Sequence, residues 1–182
     1  PLLLSLPRLV TLILNDIPKA FSLGENSIYR SEIPLIPRTV IREAIVNALM
    51  HRNYRIRQPV QIIRFSNRIE IHNPGHSLKP FDSLGKPGSV ARNEKIAAVL
   101  HEIGIAETKG TGIRVMIDEM NKANLTIPIF ESNSQRDSFT IKLLVHHLLS
   151  SEDLEWLRQF FEHNLSEDEA RTLIVVREVG EI

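Results

Sequence analysis

The sequence contains no cysteine among its 182 residues. A chain without cysteine forms neither a disulfide framework, nor a thiolate metal site, nor a cysteine nucleophile. It also has no Gly-x-x-x-x-Gly-Lys-Ser/Thr segment, which disfavours a phosphate-loop motor. The apolar opening, residues 1–7, lacks a basic segment and is followed by Arg8, so it is too short to cross a membrane. We predict a cytoplasmic protein with no membrane partner and, because the first residue is not methionine, a further segment upstream.

Positive and negative residues balance over the whole chain, 22 of each, but not along it. Residues 1–150 carry 19 Lys and Arg against 13 Asp and Glu, whereas residues 151–182 carry 3 against 9. An arginine-rich stretch could attract the phosphates of a nucleotide or a nucleic acid; its members are Arg52, Arg55, Arg57, Arg64 and Arg68. For each arginine alone, a solvated charged surface is the alternative.

The pattern of apolar residues predicts an α+β fold. Apolar residues recur at helical spacing over residues 8–21 and again from about residue 37, where Pro37 and Thr39 suit a first helical turn. Residues 60–65 and 68–72 alternate with period two, which predicts a β-hairpin. The same criteria predict an extended piece at 27–33, a long loop at 76–93, helices at 94–103 and 112–124, and strands at 127–131 and 138–145. We predict a two-layer α/β sandwich, with helices over a mainly antiparallel sheet, in residues 1–150.

Residues 151–182 are predicted to be a helical extension. Two helical patterns, at 152–162 and 166–176, are separated by a short joint, and Ser166 with Glu169 forms a capping-box pattern. Two such helices could begin a helix-turn-helix or a partial winged helix that contacts DNA. The excess of negative charge argues against this segment binding DNA by itself. A helical appendage or a homodimer contact is the alternative.

Glu43 and Asn47 lie four residues apart in the segment IREAIVNALMHRNY, on the helix predicted from residue 37. Four residues are about one helical turn, so the two side chains share a face. A carboxylate and an amide on one face can hold a hydrated cation and a water if that face lines a pocket. Otherwise they form the solvent-facing side of an amphipathic helix. His51 is predicted to occupy the end of this helix rather than to act in catalysis.

Two glycine-containing segments follow along the chain. Asn73-Pro74-Gly75 ends the predicted hairpin in the segment RIEIHNPG, and Gly110-Thr111-Gly112 opens a helix in the segment KGTGI. Glycines let backbone N–H groups approach phosphate oxygens, and a helix N-terminus favours an anion. Lys109 and Arg114 flank the second segment and could neutralise phosphate charge. A simple tight loop is the alternative for this segment alone.

Together the three segments resemble the GHKL (Bergerat-fold, histidine-kinase-like) ATPase superfamily, which includes gyrase, MutL, Hsp-type chaperones and histidine kinases. The resemblance is closer to the ATPase-like domain of RecG-related ATP-dependent DNA helicases and of transcriptional regulators, and it covers about residues 8–145. It implies a Bergerat fold that binds ATP and Mg²⁺. It also implies that Glu43 orients or deprotonates the attacking water and that Asn47 binds the Mg²⁺.

The resemblance implies further nucleotide contacts from the two glycine-containing segments: Asn73, Gly75, Lys109, Gly110, Thr111, Gly112 and Arg114. Asn73 stands where the superfamily has an aspartate that accepts a hydrogen bond from the adenine amino group. Its amide oxygen can still accept such a bond, but the charge is lost. Residues 76–93 would form the ATP lid, with phosphate contacts from Lys79, Lys86 and Arg92.

Two functions remain open from the sequence. The first is a domain that binds a Mg-nucleotide, with or without hydrolysing it, and regulates a DNA-associated protein or transcriptional regulator, in which DNA is bound by a domain outside this chain or by the C-terminal helices. The second is a degenerate Bergerat-like scaffold that binds no ATP and serves dimerisation or another protein interaction. Asn73 favours the second, and the combination of three motifs favours the first.

Overall fold

The computed structural model describes residues 2–23, 30–88, 90–106, 110–123, 125–145, 156 and 167–179. The described helices are α1 (Leu2–Asp16), α2 (Arg38–His51), α3 (Glu94–Glu102), α4 (Gly112–Lys122) and α5 (Glu167–Val179), with a 3-10 turn at Phe81–Ser83. The strands are β1 (Lys19–Leu23), β2 (Arg30–Pro34), β3 (Gln61–Arg64), β4 (Arg68–Pro74), β5 (Ile129–Asn133) and β6 (Ser138–Leu144).

The main sheet is antiparallel and has the strand order β3-β4-β6-β5. Strand side chains alternate between its two faces, so that residues paired across strands share a face. Ile71 of β4 pairs with Ile62 of β3 and with Ile141 of β6, which in turn pairs with Phe130 of β5. This apolar row belongs to the core. It gives the sheet the inner face on which the helices pack.

Helix α2 is the centre of the helical layer. Most of its residues are buried, among them Val40, Ile41 and Ala44, which are 0% exposed. Its neighbours are α4, whose Met116 and Met120 are fully buried, and α1, α3 and β4. An α-helical layer over an antiparallel sheet is the predicted α+β sandwich, and this prediction is confirmed.

The chain between α1 and α2 differs from the prediction. The helix predicted over residues 8–21, with its end near Pro18, begins earlier, at Leu2, and ends at Asp16, whereas residues 19–23 form β1. This strand pairs with β2, Lys19 opposite Pro34 and Leu23 opposite Arg30. Pro18 stops the helix. Strand β1 forms because its partner β2 follows a few residues later. The helical spacing of apolar residues in 8–21 does not reveal this pairing.

The remaining elements lie close to the predicted positions. The hairpin, the helix from residue 94, the helix from residue 112 and the last two strands are all present, with ends shifted by one or two residues. In the C-terminal extension, α5 corresponds to the predicted helix at 166–176. The predicted helix at 152–162 lies outside the described residues, except for Trp156. None of the helices in the described ranges is long and apolar enough to cross a membrane.

Candidate functional site

A cleft of about 1040 Å³, including its open mouth, lies between α2, α4 and the inner face of the sheet. The loop from Gly75 to Val90 borders it, and Gly110 borders it at the approach to α4. This size is in the range of small-molecule sites. The walls are mainly apolar, with a few polar side chains placed among them. All three motifs from the sequence contribute residues to this single cleft.

Glu43 and Asn47 face the start of α4. A Cβ atom added to Gly112 would lie 2.9 Å from Glu43 Oε2 and 3.2 Å from Asn47 Nδ2. Any side chain at residue 112 would therefore press on both groups. Glycine at this position allows Glu43 and Asn47 to lie close to the N-terminus of α4. The alternative of a solvent-facing stripe does not apply to Glu43, which is 2% exposed.

The two polar groups of α2 are held differently. Arg42 donates hydrogen bonds from Nη2 and Nε to Glu43 Oε1, at 2.8 and 3.3 Å. This arrangement compensates the buried negative charge on one oxygen and leaves Oε2 on the side of Gly112. Asn47 Nδ2 is buried and has no hydrogen-bond partner in the described part of the chain. An unpartnered buried amide costs free energy, roughly 1–3 kcal/mol, unless a ligand or water satisfies it.

Asn73 lies on the floor of the cleft. It is 4% exposed, and its Oδ1 atom has no hydrogen-bond partner among the residues described. Its cross-strand neighbour is Phe139, and the next row along the same face is Ile71, Ile141 and Phe130. All five side chains line the cleft. The sheet therefore presents an apolar floor that carries one amide.

Gly75, two residues after Asn73, adopts a turn conformation that requires glycine. Its φ angle is +115°, and an added Cβ would lie 2.9 Å from the backbone nitrogen of Asn53. Asn53 N–H donates a hydrogen bond to Pro74 O at 2.6 Å. Glycine is required here by both the φ angle and the close backbone approach.

Asp137, in the turn between β5 and β6, binds this glycine turn to the rest of the fold. Its Oδ1 accepts hydrogen bonds from His76 N–H at 2.9 Å and from His76 Nδ1, and its Oδ2 accepts one from Asn53 Nδ2 at 2.8 Å. Gly75 N–H donates to Asp137 O. The hydrogen bond from the His76 backbone, followed by those from the Asn53 and His76 side chains, holds the pKa of Asp137 far below its usual range.

Sequence reasoning assigned no role to Asp137. It lies more than sixty positions after the turn that it binds, in a segment predicted only as a strand connection. Its φ angle of 46° is the one positive value among non-glycine residues in the described ranges. Aspartate and asparagine tolerate this conformation better than most residues, which is the weak signal that the sequence carried.

The three basic residues predicted to contact phosphates in the loop do not behave alike. Lys79 lines the cleft, but its Nζ donates hydrogen bonds within the loop, to Lys86 O at 3.0 Å and Gly88 O at 2.6 Å. Arg92 does not line the cleft. It donates to His51 O at 3.1 Å and His76 O at 2.8 Å, and so joins the end of α2 to the start of the loop.

The segment Gly110-Thr111-Gly112 lies only partly in the cleft. Gly110, with a φ angle of +63°, and Gly112 line it, whereas Thr111 is the residue before α4 and does not line it. Arg114 is exposed on α4 and lies outside the cleft lining, because its position faces away from α2. The phosphate contact predicted for Arg114 remains a prediction. Lys109 lies outside the described residues.

His51 ends α2 and lines the cleft. Burial, and then the nearby charge of Arg92, lowers the pKa of His51 below its ordinary value of 6.5. The imidazole is thus neutral at neutral pH. His51 was predicted to occupy the end of the helix, and it does so. A neutral imidazole, however, does not supply the positive charge that would favour this helix end.

The fit of a metal and a nucleotide can be judged from these groups. Within the described ranges no group of three His, Asp or Glu side chains could enclose a metal ion. Asn47 supplies one hard oxygen, and Glu43 Oε2 is nearby, which suits a Mg²⁺ ion that takes its other ligands from phosphates and water. The apolar floor with one amide suits a nucleobase. The residues present therefore fit a Mg-nucleotide.

A comparison with known families found similarity over part of the chain. Residues 57–143 match the model of the family described as "Putative ATP-dependent DNA helicase recG C-terminal". The match includes the segments around Gly75 and Gly112 and begins after Glu43 and Asn47. The predicted resemblance to a RecG-related ATPase-like family is thereby confirmed over these residues.

A solved structure supports the fold. The DIP2311 protein from Corynebacterium diphtheriae is similar with a TM-score of 0.63 and 20% sequence identity, over 76% of this chain and 28% of that chain. At this identity the likeness shows the fold alone. The chain spans less than a third of the length of that protein. The comparison with curated proteins found no match.

Proposed function

We propose that the cleft binds a nucleotide together with Mg²⁺, ATP in the first instance. The observation that carries the proposal is the meeting of Glu43, Asn47 and Gly112 at one end of a cleft whose floor holds the buried, unpartnered amide of Asn73. Asn47 Nδ2 and Asn73 Oδ1 have no partner among the residues that the structure describes, and a bound ligand would offset the free-energy cost of burying them. The ATPase-like family match supports the same conclusion.

The two ends of the cleft suit the two ends of a nucleotide. The floor formed by Ile71, Phe139 and their neighbours suits a flat apolar base. Gly110 and the N-terminus of α4 suit phosphate oxygens, because backbone N–H groups and the helix dipole favour an anion there. Asn47 would hold the Mg²⁺, which supplies charge neutralisation to the phosphates when bound.

We propose that Glu43 acts on a water near the phosphates. Its Oε2 faces Gly112 while Arg42 holds Oε1, so the carboxylate has one oxygen oriented and the other open to the cleft. A carboxylate fixed in this way orients a water and accepts its proton in hydrolysis. We therefore include ATP hydrolysis, with Glu43 as general base, in the proposal.

The wider role follows from the family rather than from the cleft. The family description names a DNA helicase C-terminal region. We extend the proposal to a regulatory domain of a DNA-associated protein or transcriptional regulator. In this proposal, nucleotide binding is coupled to DNA contacts made outside the cleft, including contacts made by α5 and the residues around it. Nucleotide binding is also coupled to the formation of a homodimer. Comparing DNA affinity and molecular mass with and without Mg-ATP tests this extension.

The test of binding is thermal unfolding and calorimetry with Mg-ATP. A ligand at a hundred times its Kd stabilises the folded state by about 2.7 kcal/mol, roughly 5–10 °C for a chain of this size. Asn47→Ala should lose this shift, and Glu43→Gln should keep the shift but lose turnover. Exposed residues give matched controls: Asn121→Ala on α4 and Glu102→Gln on α3 should behave as the wild type. No shift for the wild type at millimolar Mg-ATP would disprove the proposal.

A second candidate is a scaffold that binds no nucleotide. Asn73 favours it, because an amide replaces the aspartate expected from the resemblance. In that case neither Mg-ATP nor its analogues would change the unfolding midpoint, and sedimentation would show a dimer whose mass is independent of nucleotide.

A further inference from the structure

We infer that Asn73 makes the cleft accept both 6-amino and 6-oxo purine nucleotides, so that ATP and GTP bind with similar affinity. The inference rests on the proposed function, which concerns the same cleft, and adds the class of base that it takes. It follows from the burial of Asn73, from the apolar side chains around it, and from the hydrogen-bonding chemistry of an amide.

Asn73 lines the cleft, and its buried Oδ1 atom has no hydrogen-bond partner in the described part of the chain. The residue is 4% exposed and lines the cleft, and no hydrogen bond among the described residues fixes Oδ1. The amide can therefore turn by half a rotation and exchange the positions of its oxygen and its NH₂ group. A buried amide held by other protein groups would not have this freedom.

Within the described ranges, Asn73 is the one polar side chain that the sheet contributes to the cleft. Among the sheet residues that line the cleft, the others are Ile71, Phe130, Phe139 and Ile141, all apolar. Facing them, α4 contributes Met116. Apolar surfaces favour the larger ring system of a purine over a pyrimidine through buried area, but they do not distinguish adenine from guanine.

An amide offers one donor and one acceptor side by side. Adenine presents an amino donor at position 6 beside the acceptor N1, and guanine presents an oxygen acceptor at position 6 beside the donor N1–H. One orientation of the Asn73 amide complements the first pair, and the half-rotated orientation complements the second. A base that lacks a matching donor and acceptor pair would leave the buried amide without a hydrogen-bond partner. Such a base is expected to bind much more weakly.

The experiment compares calorimetric affinities of the wild type for Mg-ATP, Mg-GTP and the Mg complex of purine riboside triphosphate, which has no substituent at position 6. We expect the Kd values for ATP and GTP to agree within tenfold, and the third ligand to bind at least tenfold more weakly than either. An ATP-to-GTP preference above a hundredfold, or equal binding of the third ligand, would overturn the inference while leaving the proposed function intact.

The variant Asn73→Leu adds a second readout. Because the amide has no protein partner on its oxygen, replacing it with an apolar side chain of similar size should leave the unfolding midpoint without ligand unchanged or raised. Affinity for ATP and for GTP should both fall at least tenfold. Unchanged affinity for both nucleotides would overturn the inference. Failure of the wild type to bind any nucleotide would instead overturn the proposed function and, with it, this inference.

Discussion

Asp137 is the residue whose side chain connects the glycine turn, the start of the loop and the end of the sheet. It accepts two hydrogen bonds from His76 and one from Asn53, while its own carbonyl accepts one from Gly75. These bonds favour the ionised carboxyl, which is why the pKa of Asp137 is lowered. The residue does not line the cleft, so its role is to position residues that do.

Replacing Asp137 with asparagine should destabilise the fold in a pH-dependent way. The variant keeps one acceptor oxygen but turns an NH₂ donor toward another donor, at an expected cost of about 1.5–3 kcal/mol. The folded-state pKa is lowered from its ordinary value of 3.8, so the contribution is fully present above that pH and is lost as the pH falls below it. Urea unfolding of wild type and variant at pH 7 and at pH 3 measures the difference.

The gap between the two unfolding free energies should narrow at pH 3. Asp118→Asn, on the exposed side of α4, is the matched control and should change stability by less than about 0.5 kcal/mol. A gap that stays constant between the two pH values would show that the carboxylate charge is not what stabilises the turn.

Helices α2 and α4 form the site as a pair, because Gly112 allows the first turn of α4 to approach Glu43 and Asn47. The contact is with side-chain ends rather than with backbone. Alanine at residue 112 should therefore be tolerated, since the two side chains can shift and alanine favours the helix by about 0.5–1 kcal/mol. The shift would displace the groups proposed to act on the Mg-nucleotide.

Gly112→Ala is thus expected to leave the unfolding midpoint unchanged or slightly raised and to weaken Mg-ATP binding about tenfold, as measured by thermal unfolding and calorimetry on the same samples. The exposed variant Asn121→Ala on the same helix should change neither quantity. If Gly112→Ala bound Mg-ATP as tightly as the wild type, the start of α4 would not be part of the binding site.

Elements with a strong local pattern were predictable from the sequence. The helix that carries Glu43, the hairpin of β3 and β4, and the final strands all have apolar periodicity or a turn signal of their own. Strand β1 was missed, although the extended piece predicted at 27–33 overlaps β2, because β1 depends on pairing with β2 rather than on a local pattern. In the site, Glu43, Asn47, Asn73 and Gly112 line one cleft, as the three motifs suggested, whereas Arg114 lies outside its lining because its direction depends on how α4 packs.

At the scale of the whole molecule, the open question is where the nucleotide-binding unit ends. The predicted boundary near residue 150 separates a segment with an excess of positive residues from one with an excess of negative residues. Within α5, however, Ile174 is only 5% exposed. A residue buried to this degree shows that the extension is packed against protein rather than fully solvated.

Removing residues 151–182 should leave nucleotide binding intact. The shift caused by Mg-ATP should persist, because every described residue that lines the cleft lies before residue 142.

The shortened chain also loses six net negative charges, so it should bind a DNA duplex more tightly at low salt, an effect that salt abolishes. Thermal unfolding with and without Mg-ATP, and fluorescence anisotropy of labelled DNA across a salt series, test both expectations. Disappearance of the Mg-ATP shift in a folded shortened chain would place the C-terminal extension within the nucleotide-binding unit.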